Sequence, residues 1–423
     1  MIRSIRGWDK AFYDGQIMMC LVLKFKNPKD VAPVAEMLSR KVLAFQCGTD
    51  GHILYKNPQR VPIYDLPHFD DKEELSHYML KHHSRPYKLA LGALGVSDDA
   101  IAFNANHMLA DGGYFKFIID EISNGRDTPL VSDIPNSAEY LFSKKMEEAP
   151  DTIYPGDYDM KLTNFLSKDT EELNTDRFAH LIITDFPASS LKCYNKDTKK
   201  IKGLTEAIFS NFYATAVAYN ENGYKCGLET CVDLRRYSNS HTWNDASVFS
   251  MMPIWANVSP SDTLGQVGKK IRGGLNDGLN KGYSFSYLKA LFEEKKGPGF
   301  RGNRLGTSNV GPIKVGGPLV DAYLGYSEIS TAMPHIISIT TWSIIGNGRN
   351  DITFRMKYNT DKVSTREAQM VSDCTIWGMQ NIDPNLPLEK AIDELKGFQR
   401  EFFRKNKGTI KGYFSPPPFQ YNV

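Results

Sequence analysis

A chain of 423 residues is long enough to bury a large core, and by length it holds two or three domains. Its 41% apolar and 24% charged content is that of an ordinary globular protein, and 51 basic against 49 acidic residues leave a net charge of +2, which excludes a phosphate-dominated nucleic-acid binder. No apolar run reaches the roughly 18 residues needed to span a bilayer, and no signal-peptide pattern is seen at Met1–Trp8; six cysteines without a Cys-x-x-Cys pair are therefore expected as reduced thiols in a cytoplasmic protein.

In chain order, the apolar run 17–25 reads as a strand, and 31–45 has apolar residues at helical spacing. Short strands are expected at 52–55 and 61–64, a helix at 72–81, and strands at 90–96 and 100–105. Helices follow at 114–122 and near 138–148. The polar, Pro- and Asp-containing stretch 149–174 is the best boundary. The second part reads as strand 180–186, helix 204–219, strands 226–234 and 248–258, and helices 264–279 and 287–294. Strands 305–310, 335–342 and 351–358 come next, the last two joined by a Gly346-Asn-Gly-Arg-Asn350 turn, before helices 366–379 and 388–403. The mixed order predicts an α+β class, a mixed α/β sandwich.

The densest chemistry lies in Asn106-His-Met-Leu-Ala-Asp-Gly112, directly after the apolar strand 100–105. His107 stands at the end of a buried strand, and an imidazole with a pKa near ~6.5 can take and return a proton at neutral pH. Asp111 suits the N-cap of the helix that follows, because its carboxylate can accept from the free N–H groups of the first turn. Local pattern alone leaves two readings level: a general base, and a structural histidine beside a cap.

Several segments in order resemble the CoA-dependent acyltransferase superfamily, which includes chloramphenicol acetyltransferase, the condensation domains of peptide synthetases, BAHD acyltransferases and alcohol acetyltransferases. The signature His-x3-Asp-Gly matches His107, Asp111 and Gly112; the extra leading histidine of the longer form is Asn106 here. Cys231-Val-Asp-Leu-Arg-Arg236 is similar to the family's strand ending in arginine, Asn244–Ile254 to the segment crossing between halves, and Thr307-Ser-Asn-Val-Gly-Pro312 to the Ser-Asn-x-Gly stretch near the channel. The resemblance covers roughly residues 1–382, and the plant-type Asp-Phe-Gly-Trp-Gly motif is absent.

The resemblance implies two similar-sized halves, 1–175 and 176–423, with an active-site channel between them. It implies an acyl group moving from a CoA thioester, acetyl-CoA first among them, to a hydroxyl or amine of a small molecule. His107 would be the general base, with no covalent acyl-enzyme, no bound cofactor and no metal. Asp111 would pair with Arg235 or Arg236 to fix the loop; as adjacent strand residues these face opposite sides, so only one can serve. Gly112, Ser308 and Asn309 are candidates for the oxyanion or substrate. A carrier-protein donor is the runner-up, disfavoured because no carrier motif is visible, and a non-catalytic binding protein on the same fold is the rival from another class.

Other features carry less. His82-His83 reads as a solvated pair, His77 and His82 lack zinc-helix spacing, and His241 and His335 read as loop or strand-edge residues. Gly311–Gly317 lacks the Lys-Ser/Thr of a phosphate loop, Ser415-Pro-Pro-Pro-Phe419 reads as a frayed end, and the basic run 400–411 as a solvated face. Phe103, Met108, Met251, Met252, Trp255 and Trp342 are expected in the core rather than in the channel wall.

Overall fold

The computed structural model describes residues 2–57, 59–83, 86–151, 162–169, 173, 179–221, 223–238, 242–293, 304–329, 335–406 and 413–414. Two large mixed sheets organise these residues. The first has five strands in the order Leu319–Ser327, Met18–Phe25, Ala100–Asn106, Gly92–Val96, Ile63–Asp65, antiparallel except for the last pair. Met18–Phe25 and Ala100–Asn106 are buried at every position, which is why both read as near-continuous apolar runs rather than alternating ones. The helices Val31–Lys41, Lys72–His82 and Gly112–Ser123 pack around this sheet.

The second sheet runs Phe249–Ala256, Cys226–Asp233, Leu305–Lys314, Ile337–Gly346, Arg349–Tyr358, His180–Pro187, Tyr413–Phe414. Its large core joins Leu204–Asn220, Leu264–Asn280, Thr365–Asn381 and Leu388–Lys405. Capping boxes start two of these helices, at Thr263 with Gln266 and at Ser364 with Glu367. Two strands run out of this core into the other one: Leu305, Ile337 and Ile339 belong to the larger cluster, whereas Ile313, Trp342 and Ile344 pack with the five-stranded sheet. Their middle stretches therefore pass from one core to the other, with Ser308 and Asn309 on the way and Val310 already packed against the five-stranded sheet's core.

The expected α+β class holds, and most expected elements are present. The helix expected to reach residue 45 stops at Lys41, because Val42 is extended and a 3-10 turn, Leu43–Phe45, follows. The helix near 138–148 is two short ones, Ala138–Leu141 and Ser143–Glu148. The one expected at 287–294 begins at Tyr283, behind Gly282 with φ +74°. Among the elements with no counterpart in the sequence-based expectation are the strand Ile2–Ser4, the helix Gly7–Asp14 and the strand Leu319–Ser327, besides the short strands Cys47–Thr49, Tyr194–Asn195, Lys200–Ile201 and Tyr413–Phe414. The division at residue 175 and most of the boundary stretch lie outside the described residues, as do His241, 407–411 and 415–419. Sheet membership cuts across chain order, since Leu319–Ser327 comes late in the chain yet forms an edge of the early sheet. No helix among the described residues is long and apolar enough to cross a membrane.

Candidate active site

The strand Ala100–Asn106 ends in a side-chain lock. Asn106 accepts from the Met108 N–H at 3.0 Å and donates to the Tyr87 hydroxyl at 3.1 Å, which starts the 3-10 turn His107–Leu109. The His107 N–H donates to the Ile17 carbonyl at 2.8 Å, tying the turn to the neighbouring strand. The imidazole is then held by rings: Phe12 stacks on it at 4.3 Å and 8°, Phe249 at 5.1 Å and 27°, and Tyr326 meets it edge-on at 6.4 Å. Burial pulls its pKa from 6.5 down to about 4, against the backbone of His107 and Ala110 and the Glu328 carboxylate, which favour the charged ring. The ring is neutral at physiological pH. Nδ1 is enclosed, with the backbone of His107 and Ala110 beside the ring, so Nε2 is the nitrogen left to face open space.

Four residues on, Asp111 caps the helix Gly112–Ser123 by accepting from the Tyr114 N–H at 2.7 Å. Both its oxygens also take the Arg235 guanidinium, at 2.9 and 3.0 Å, and one accepts from the Val248 N–H at 2.8 Å. Arg235 is 3% exposed and saturated, bonding the Asp245 carbonyl and the Asp233 carboxylate as well. Burial opposes its charge, but Asp111 and Asp233 outweigh it and hold the pKa above its ordinary value. Gly113 makes room for this: a Cβ there would stand 2.5 Å from Arg235 Nη1. The turn carrying His107 is thus bolted to the second sheet.

Between the sheets lies a cavity of about 1200 Å³, walled among others by Phe12, His107, Cys231, Phe249, Ser308 and Tyr326. Among the described residues no group of three or more His, Cys, Asp or Glu is arranged to hold a metal ion.

No family model and no curated protein matches the sequence. Solved structures do match. The first condensation domain of the CDA synthetase is 13% identical over 91% of this chain and 94% of its own, with a TM-score of 0.63. A double mutant of the starter condensation domain of rhizomide synthetase, in complex with C8-CoA and Leu-SNAC, is 12% identical over 92% and 96%, also at 0.63. The X-domain from teicoplanin biosynthesis, solved in complex with OxyB, is 9% identical over 90% and 93%, at 0.55. The chain has the condensation-domain fold.

Within this condensation-domain fold the sequence-derived candidates separate. His107, Asp111, Gly112, Arg235, Ser308 and Asn309 all line the cavity, and Arg236 does not. Arg235 and Arg236 sit on a 3-10 turn, Leu234–Tyr237, after the strand has ended at Asp233, so strand alternation is not what divides them. Arg236 is exposed and stacks on Tyr237 at 5.2 Å. Asn309 spends its carboxamide on structure, donating to Thr205 Oγ1 at 2.8 Å and accepting from the Gly311 N–H at 2.9 Å across a bulge. Gly112 presses on Val310, which a Cβ would meet at 2.8 Å. Burial pushes the Cys231 thiol, beside the Ser308 hydroxyl, up to about 11, so it stays protonated and a poor nucleophile. Of the six large apolar residues expected in the core, Met251 lines the cavity. His335 also lines it, with Nε2 2.8 Å from the buried Glu229, which pairs in turn with Arg304 at 3.1 Å.

Sequence reasoning missed the aromatic clamp from Trp8, Phe12 and Phe249, and a polar cluster across from His107. There Tyr326 donates to Glu328 at 2.9 Å, and Lys357 binds both the Tyr326 hydroxyl, at 3.2 Å, and Glu328. The alternation 351–358 carries a signal for this cluster: Thr353, Arg355 and Lys357 share one face of a strand whose other face, Ile352, Phe354, Met356 and Tyr358, is core.

Proposed function

We propose that this protein is an acyltransferase in which His107 is the general base for attack of a hydroxyl or amine on an acyl thioester. The observation that carries the reading is a neutral imidazole, fixed by rings and by the Asp111–Arg235 bolt, at the wall of a cavity between two sheets. His107 Nε2 takes the acceptor's proton as its oxygen or nitrogen bonds to the thioester carbonyl carbon. The tetrahedral adduct collapses with breakage of the C–S bond, and the imidazolium returns its proton to the leaving thiolate. The developing oxyanion is met by the Ser308 hydroxyl or the Gly112 N–H at the helix start, since Asn309 is already engaged. Asp111 and Arg235 position the loop and take no proton.

Acyl-CoA, tested first as acetyl-CoA, is the proposed donor, and the C8-CoA held by the rhizomide starter domain supports CoA binding in this fold. A thioester on a carrier protein would use the same atoms, and the peptide-synthetase origin of the similar structures favours it. The test is free-thiol release from acyl-CoA with a panel of alcohols and amines. Turnover that is lost in His107→Ala supports the assignment; equal rates in wild type and His107→Ala sink it. Consumption of a carrier-bound acyl group alone moves the donor to the carrier. The X-domain's complex with OxyB favours a third outcome, partner binding without turnover, which His107→Ala would leave intact.

A further inference from the structure

We infer that Arg355 holds a carboxylate carried by one of the two substrates. The inference rests on the acyl-transfer reading of the same cavity and names the chemical class of what enters it.

Arg355 lies on the strand Arg349–Tyr358, is 5% exposed and lines the cavity. Among the described residues its single hydrogen bond is from Nη1 to the Leu324 carbonyl at 2.8 Å, and no carboxylate lies within 4 Å. Its guanidinium carbon sits 5.1 Å from the Tyr326 ring centre and 5.3 Å from that of Trp342. Those faces hold the plane but satisfy none of its N–H groups, and a guanidinium has five to place. Neighbouring charges do not neutralise it. Lys357, two residues on and on the same face, already has Glu328 as its counter-ion. Glu73 acts on Arg355 from beyond 4 Å, and burial raises that carboxyl to about 7, so near neutrality it is only part-charged. What remains is a buried positive charge with unused donors in a fork that matches a carboxylate, beside apolar walls. Tyr326 spaces it from the chemistry, since the same ring lies 6.4 Å from the His107 ring. A small molecule can place a carboxylate on Arg355 and its reacting group at His107.

The carboxylate can belong to the acceptor, as in a hydroxy acid, or to a dicarboxylic acyl donor. Wild type and Arg355→Met are compared on 3-phenyllactate against its amide with acetyl-CoA, and on glutaryl-CoA against pentanoyl-CoA. Thiol release is read alongside equilibrium binding of each probe by tryptophan fluorescence, which needs no turnover. The expected result is that wild type prefers the charged member of one pair and that Arg355→Met loses that preference by about 30-fold or more, leaving the neutral member unchanged. Arg355→Lys keeps part of the preference. The pair affected identifies the source of the carboxylate. Equal losses on charged and neutral probes, or no preference in wild type for either pair, overturn the inference. If binding shows the preference but no pair releases thiol, acyl transfer fails and the carboxylate site stands; if His107-dependent release shows no preference, the reverse holds.

Discussion

Arg235 and Arg355 are both at least 95% buried, both line the same cavity, and both come from the second half of the chain. Arg235 has two carboxylates and a carbonyl around it; Arg355 has one carbonyl and two ring faces. A buried charge without counter-ions is expensive, and a fold has no structural reason to keep one where a methionine would pack. Saturation therefore separates a bolt from a receptor. The same contrast sorts the polar groups near His107, where Asn309 is engaged and the Ser308 hydroxyl, beside the Cys231 thiol, is not tied into the backbone.

Breaking the comparison starts with the group both arginines serve. His107→Ala should cut thiol release by about 10²–10⁴-fold, while Cys231→Ala leaves it near wild type. Asp111→Asn should come next, costing about 3–5 kcal/mol in denaturant unfolding as well as rate, because Arg235 then lacks its main counter-charge. Gly113→Ala attacks the same bolt sterically. Its Cβ would stand 2.5 Å from Nη1, and a cost of about 1–3 kcal/mol is expected from the same unfolding measurement. Arg355→Met should be nearly neutral, within about 1 kcal/mol of wild type, since the hydrogen bond lost is offset by removing an unpaired buried charge and no counter-charge is stranded; a loss as large as that of Asp111→Asn would make Arg355 a second bolt. The remaining test is pH dependence. With the folded His107 pKa at about 4 against 6.5 unfolded, the unfolded chain binds its proton first, so stability declines as pH falls from 6.5 towards 4. Unfolding over that range should show a steeper decline in wild type than in His107→Gln, which keeps the contribution of His77, a second buried imidazole held at about 4, and the acid limb of kcat/KM should lie below pH 6.5.

The turn from Asn106 to Gly112 was legible because its chemistry is local: a strand end, a cap and a helix start within seven residues. The strands Met18–Phe25 and Arg349–Tyr358 were legible from apolar content and alternation. The helix Gly7–Asp14 was not, because Arg6 offers no capping side chain and eight residues give little periodicity to read. Yet it supplies Phe12, which stacks on His107, and Trp8, which backs Phe12 and Phe249. Leu319–Ser327 was hidden behind the Gly316-Gly317 turn, and only its pairing partner, some 300 residues earlier, makes it a strand. Choosing between Arg235 and Arg236 required knowing that the strand ends at Asp233. Arg355 and Lys357 were visible as two cations on one strand face, but that the face borders a cavity is a tertiary fact.

The late edge strand has a consequence for how the molecule is made. When residues 18–25 and 100–106 have left a ribosome, more than 200 further residues must emerge before the strand that closes their sheet begins. At 5–20 residues per second, the wait is roughly 10 to 40 seconds. Throughout it, Met18–Phe25, buried at every position in the finished fold, offers an open and apolar edge to any other chain. A nascent or truncated chain ending before residue 319 is therefore expected to aggregate more readily than the full chain, because that edge stays open until Leu319–Ser327 pairs with it.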